Sequence, residues 1–341
     1  MRLLLRALLL LALVLAVRLF WVIETRSPRL PANAPPQTLV VPPGASASSI
    51  GRQLHDRGLV RHPLLFRALV LVRGQGSSLK AGQYELDGPL SLEQIADLLV
   101  RGQVLRSDVT FPEGKVIEEM ADLAEAKGIP TAEFLAAARD PSLVRDLDPL
   151  AGDLEGYLFP DTYDLPGTGN RGAVLVERMV ERFREVTLPL RADIAAQRLT
   201  LRELVTLASV VERETARPEE RPRIAAVFHN RLVRGMPLQT DPTVIYALRK
   251  AGRWDGNIRK KDLDLDSPYN TYRRPGLPPG PIASPGREAL LAVLHPAATK
   301  DLYFVSRNDG SHHFSETLTE HERAVDRYQR SRSRRAGNAP S

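Results

Sequence analysis

The first hydrophobic pattern in the chain is an unbroken one. Ala7 to Val17 is apolar at every position, and Leu19 to Ile23 continues the run after Arg18. A helix needs about 20 apolar residues to span a bilayer, so Leu3 to Ile23 is just long enough. Arg2 and Arg6 precede the run. Arg18 lies near its outer end, where it can snorkel to the interface beside Trp21. A cleaved leader is the alternative. Ala32-Asn33-Ala34 has the small-x-small form of a cleavage site, but it lies too far beyond the apolar run and among prolines. The helix is therefore expected to stay as an anchor over 1–25, with the rest of the chain exported. Pro28, Pro31, Pro35 and Pro36 then predict a stiff stem over 26–37.

Beyond the stem the apolar positions become periodic. Thr38 to Val41 is a short β-type run, turned by Pro42-Pro43-Gly44. Ser46 opens a helix with Ile50 and Leu54 on one face, and His62 to Val72 reads as a second helix. Lys80 to Leu86 reads as a strand. Ser91 and Gln94 form a capping box, Ile95, Leu98 and Leu99 make an apolar face, and Gly102 ends that helix. Residues 38–107 are thus predicted to form a small α/β module. Leu39–Gly44 has a weak repeat in Val109–Gly114, each reading strand, turn, then helix. The second copy marks the start of another domain near Asp108.

From 108 to 330 the pattern is mainly helical, with long loops. Thr200 and Glu203 cap a helix running to Thr215, another covers Ile224 to Arg234, and Leu302 to Ser306 is a strand. Thr319 with Glu322 is expected to cap the last helix, and 331–341 to be a disordered basic tail. The most conspicuous loop, Asp266 to Pro285, has a length and Gly/Pro/Tyr content that suit a functional segment. The fold class is therefore α+β: a transmembrane helix, a small α/β module and a mainly helical domain.

Charge changes the picture only by its placement. The chain carries a net +6, but residues 1–29 hold +4 and the tail from Ser331 holds +3, leaving the body near −1. No basic face for nucleic acid is expected. Cysteine is absent, which excludes disulfides, thiolate metal sites and cysteine nucleophiles.

Candidate chemistry centres on Asp153–Tyr163. Glu155 stands among Leu154, Tyr157, Leu158 and Phe159. An apolar setting raises a carboxyl pKa, as a general acid near neutral pH requires. Gly156 lets a backbone or ligand come close. Tyr157 and Tyr163 could stack on sugar rings, or serve the core. On the helix from Thr200, Glu212 falls on the apolar arc with Leu201 and Val205. It needs either a partner such as Arg223 or Arg231, the reading the residues alone favour, or a place in a cleft. Asp241 before Pro242 reads as a helix start, which leaves Gln239 free to point into the cleft. His312 and His313 are adjacent and would face opposite sides of a strand. With no HExxH spacing, neither they nor His321 suggest a metal.

Taken in order, these motifs resemble those of the endolytic murein transglycosylases of the YceG type. The resemblance is carried by Leu154–Tyr163, Leu207–Thr215, Val227–Leu232, Gln239–Tyr246, Ser267–Tyr272 and Gly276–Ile282, and extends from the anchor to about Arg330. It implies Glu155 as the catalytic acid/base. It implies a LysM-like module around Lys80-Ala81-Gly82-Gln83-Tyr84, and a transglycosylase domain over 108–330. It also implies peptidoglycan glycan strands as substrate, cut between MurNAc and GlcNAc to leave 1,6-anhydroMurNAc ends and so end strand elongation. No metal and no cofactor are called for. The implied location is the inner membrane, single-pass with the N-terminus cytoplasmic, and the implied partners are peptidoglycan synthases or proteins of the divisome or elongasome. Glu212, Gln239, Tyr269, Asn270 and Tyr272 join Tyr157 and Tyr163 as candidate substrate-binding residues. Two rivals remain, a lysozyme-like muramidase and a non-catalytic peptidoglycan-binding scaffold.

Overall fold

The computed structural model describes residues 2–29, 31, 35–102, 107–165 and 170–330. The tail 331–341 and part of the stem lie outside the described residues. The chain forms two compact units, 1–108 with 164–171, and 109–163 with 172–341.

In the first unit, α1 (Arg2–Arg26) is apolar to Ile23. Its stretch Leu5–Arg26 is long and apolar enough to cross a membrane and is almost entirely uncovered by protein. Strand β1 (Gln37–Val41), α2 (Ala47–Asp56), α3 (Pro63–Val72), β2 (Gly82–Leu86) and α4 (Leu92–Arg101) follow. The strands pair antiparallel, from Gln37 opposite Leu86 to Val41 opposite Gly82. Alternation along β1 buries Leu39 and Val41. They join Ile50, Leu54, Phe66, Leu69, Tyr84, Ile95 and Leu99 in one core. The Ser91–Gln94 capping box forms, and Gly102 ends α4 with φ +71°. The last turns of α1 dock on this unit. Trp21 packs on the core, Thr25 is buried, and Arg26 reaches Glu93 of α4 at 3.3 Å. Glu24 pairs with Arg29 and, at 3.5 Å, with Arg61.

The chain leaves the first unit through β3 (Ser107–Thr110) and returns through β4 (Thr162–Leu165), which pair with each other. The second unit holds α5 (Ile117–Glu125), α6 (Thr131–Ala138), α7 (Arg171–Thr187), α8 (Arg191–Ala196), α9 (Leu201–Glu214), α10 (Arg221–Val233), α11 (Asp241–Lys250) and α12 (Arg287–Leu294). The hairpin β5 (Tyr303–Ser306) and β6 (His312–Ser315) and helix α13 (Leu318–Val325) complete it. Helix α9 packs against α10, α11 and α12. It is capped by Thr200 and Glu203 as expected. Its middle is covered on every side, beyond the apolar arc alone: every residue from Leu204 to Val211 is buried, because helices and loop surround it. The Ser209 hydroxyl accepts the Ile282 N–H at 3.0 Å and so ties the 266–286 segment to this helix. The last helix starts two residues earlier than expected, since the box formed is Thr317–Glu320, not Thr319–Glu322.

Candidate active site

A tight turn presents Glu155. The Tyr157 N–H donates to the Leu154 carbonyl at 2.9 Å, and Gly156 holds φ +84° at the third position, as a type II turn demands. A side chain at 156 would collide with the Pro281 ring and stand 2.9 Å from a Val205 methyl, so only glycine lets the loop close over α9 here. The turn is pinned at both ends, by Leu154 N–H to Ala138 O at 2.9 Å and Phe159 N–H to Met179 O at 3.2 Å.

The Glu155 carboxyl is buried, 5% exposed. Its Oε2 receives two long contacts, from the Ile117 N–H at the start of α5 (3.5 Å) and from the Tyr246 hydroxyl of α11 (3.4 Å). Its Oε1 is buried and has no hydrogen-bond partner among the described residues. Burial pushes the carboxyl up to about 8, and the charges of Asp153 and Glu118 add to the shift. Glu155 is thus a neutral acid at pH 7. The Tyr246 hydroxyl is raised far above its ordinary value, chiefly by burial and then by Glu155, and stays a neutral donor.

Glu155 lines a cavity of about 220 Å³ with Asp153, Tyr157, Arg202, Lys250 and Tyr269 among its walls. A larger one of about 780 Å³ lies beside it and shares Gly152, Asp153 and Lys250; Glu118, Arg139, Arg249 and Trp254 face it. The Tyr246 and Tyr269 rings lie 4.9 Å apart, and Lys250 Nζ sits 5.4 and 5.7 Å from their centres. Lys250 Nζ is also 3.8 Å from Asp153, whose other oxygen accepts the Glu155 N–H at 3.0 Å. Such an arrangement can give and take a proton at one carboxyl while holding negative charge beside it.

The YceG-like family profile matches residues 39–327. The chain belongs to this family. It is 33% identical to a Bacillus subtilis protein named endolytic murein transglycosylase, over 84% of this chain and 83% of that one. The same identity relates it to a Streptococcus pneumoniae protein of that name, over 84% of this chain and 57% of the other. A crystal structure of a YceG-like protein from Listeria monocytogenes covers 85% of this chain and 99% of its own, with TM-score 0.59 and 33% identity.

In this YceG-like chain only some of the expected residues meet at Glu155. Tyr157 and Tyr269 line its cavity. Tyr157 is anchored there by donating to Asp148 at 2.6 Å, and Asp148 also pairs with Arg202. Tyr163 is elsewhere: its hydroxyl donates to Phe159 O at 2.6 Å and its ring packs on Phe111 in the core. Asn270 is fully buried and organises its loop, donating to the Leu263 and Leu265 carbonyls and accepting from Tyr272 N–H. Glu212 is not on the cavity wall, contrary to expectation. It pairs with Arg221 at 2.6 Å and accepts the Gly286 N–H at 3.0 Å, so its partner is neither Arg223 nor Arg231. Burial still raises its pKa, outweighing both partners. Gln239 and Tyr272 line a different cavity. Asp241 begins α11 one residue later than a cap, with Thr240 in the cap position. The sequence reading missed Lys250 and Arg202, and met Asp153 and Tyr246 only inside motifs, with no role of their own. The i, i+4 spacing of Tyr246 and Lys250 on a helix was the available signal.

Proposed function

We propose that this chain is a peptidoglycan lytic transglycosylase, with Glu155 as the single acid/base. The observation that carries the reading is the buried Glu155 carboxyl, neutral at pH 7, whose Oε1 is unengaged and whose residue lines a cavity. The relatives named endolytic murein transglycosylases support the substrate. Glu155 protonates the glycosidic oxygen, and the bond from C1 of MurNAc to the GlcNAc oxygen breaks. The carboxylate then takes the proton of the MurNAc C6 hydroxyl as that oxygen bonds to C1. The product is a 1,6-anhydroMurNAc end, Glu155 is protonated again, and no water is consumed. Internal cuts of this kind would end strand elongation. Tyr246 and Ile117 N–H hold Oε2 during both transfers.

Asp153 is the observation that favours the rival hydrolysis, since hydrolases use a second carboxylate. Here one of its oxygens is taken by the Glu155 N–H and the other faces Lys250. That suits a fixed negative charge beside an oxocarbenium-like transition state better than a base that activates water. Digestion of purified sacculi followed by mass spectrometry decides between them. Anhydro ends are expected; products heavier by one water would replace this reading with the muramidase, and no release of fragments would favour the scaffold.

Helix α1 supports a single-pass anchor in the inner membrane, with a cytoplasmic N-terminus and both units outside. The order strand, helix, helix, strand in 37–86 supports the LysM-like reading of the first unit. Synthases or proteins of the divisome or elongasome are the partners that fit an enzyme placed there.

A further inference from the structure

Helix α3 is apolar on both sides. Phe66, Leu69 and Val70 face the core of the first unit. On the opposite arc Leu64, Leu71 and Val72 are 67, 75 and 75% exposed. Leu64, Arg67 and Leu71 stand at i, i+3 and i+7 and so form one stripe, with Val72 at its edge. Outside α1 the other exposed large apolar residues among those described, Leu150, Leu188, Val233 and Leu318, lie singly on separate segments. Scattered singles are ordinary on a protein surface. Three on one face of a ten-residue helix make a patch that calls for a cover.

The place of α3 in the fold says what that cover is. The apolar run of α1 stays exposed as far as Ile23, and the turn covered by protein begins at Glu24. Glu24 is the residue that meets Arg61 at 3.5 Å, just before α3 starts. At the other end of α3, Arg73 reaches Glu93 at 3.0 Å, and the same carboxyl group receives Arg26 at 3.3 Å. A helix about 15 Å long is thus tied at both ends to the last turn of α1, where the exposed apolar run stops. Charge agrees with position. Arg61 to Arg73 holds three arginines and no acidic residue. A basic helix with exposed leucine and valine settles into the headgroup region of an anionic bilayer, apolar side chains towards the acyl chains and guanidinium groups at the phosphates. A protein partner suits the stripe less well. Packing protein over it would bury Arg67 in its middle, whereas at a lipid surface that side chain snorkels to a phosphate.

We infer that the outer face of α3 rests in the headgroup region of the bilayer that α1 crosses. Leu64, Leu71 and Val72 are the inserted side chains, and Arg67 meets the phosphates of anionic phospholipid. The inference rests on the reading of α1 as a membrane span. It gives the first unit a second lipid contact beside that span.

The absence of cysteine makes the test direct, since a single introduced cysteine carries the only label. The full chain with Leu64→Cys, Leu71→Cys or Leu10→Cys is labelled with a nitroxide. It is then reconstituted in vesicles of phosphatidylethanolamine and phosphatidylglycerol. Leu64 and Leu71 point away from the core, so a label at either leaves the unit folded. Electron spin relaxation reads collisions with a neutral nickel chelate, which stays in water, and with oxygen, which concentrates among acyl chains. At Leu64 and Leu71 the nickel collisions should be lost and the oxygen collisions gained, as for a site at the headgroup boundary. Full nickel access at both positions overturns the inference. Loss of both kinds of collision also overturns it, because the face is then covered by protein, a second copy of the chain included. The Leu10 label keeps the two readings apart. If it meets oxygen while the α3 labels meet nickel, the footing of α3 alone is lost. If Leu10 itself meets nickel, α1 does not span, and the reading of the anchor falls together with this inference.

Discussion

The Glu155 carboxyl holds its proton because of what it lacks. Two long contacts to one oxygen and none to the other cannot replace the water it has lost. Glu155→Gln keeps the shape and removes the proton, so strand cutting should fall by about 10²–10⁴-fold, read as anhydro-muropeptide release. The same burial makes a stability prediction. The native carboxyl is raised from 4.5 to about 8, so the folded state binds a proton that the unfolded chain has released between those values. Stability from this group is therefore full below pH 4.5 and is lost as pH rises to about 8. The Gln variant escapes that loss. Its melting temperature should match the native protein near pH 4 and exceed it increasingly towards pH 8. Glu212 gives the contrasting case. Its partner Arg221 is nearly as buried and would keep only the half-exposed Glu113 at 3.2 Å, so Glu212→Gln removes the buried half of the pairing and should cost up to about 3 kcal/mol in a thermal melt. Activity per folded molecule should be unchanged; a normal melt with a slower rate would return Glu212 to the cleft. The sequence singled out Glu155 through its neighbours, since apolar and aromatic residues flank it directly. It could not separate Glu212 from a cleft acid, because a helical wheel shows that a carboxylate is inside but not which arginine meets it.

Local signals carried the elements well where one residue satisfies another a few positions away. The boxes at Ser91–Gln94 and Thr200–Glu203 formed where the sequence put them. The stretch Thr317–Glu322 contains two overlapping Thr-x-x-Glu registers, and tertiary contacts chose the earlier one, which stacks His321 on Tyr303 and buries Ala324. The enclosure of α9 was not legible either, because its surroundings come from segments far away in sequence. Helix α1 shows the same limit: an apolar run announces a membrane segment but does not say where the segment ends against protein. Its final turns carry Trp21, Glu24 and Thr25 into the first unit. Deleting 2–19 should therefore leave the melting of the first unit unchanged. Deleting 2–29 should lower it by about 4–8 °C for each kcal/mol of lost packing. Equal melting temperatures for the two truncations would mean that the docking contributes nothing.

At the scale of the whole molecule, the proposed role of Glu155 makes one proton set the pH profile. The rate should be level below about pH 8 and then fall about tenfold per unit as Glu155 ionises. A profile still rising above pH 9 would assign the acid to another group. The docked end of α1 matters at this scale too. A chain hung from a flexible leader samples a wide spread of heights above the lipid. With α1 seated in a bilayer, as proposed, a unit that grips its last turns would behave instead like a wheel on a stub axle: it would turn with the helix and tilt with it, but its clearance from the lipid would be a fixed length.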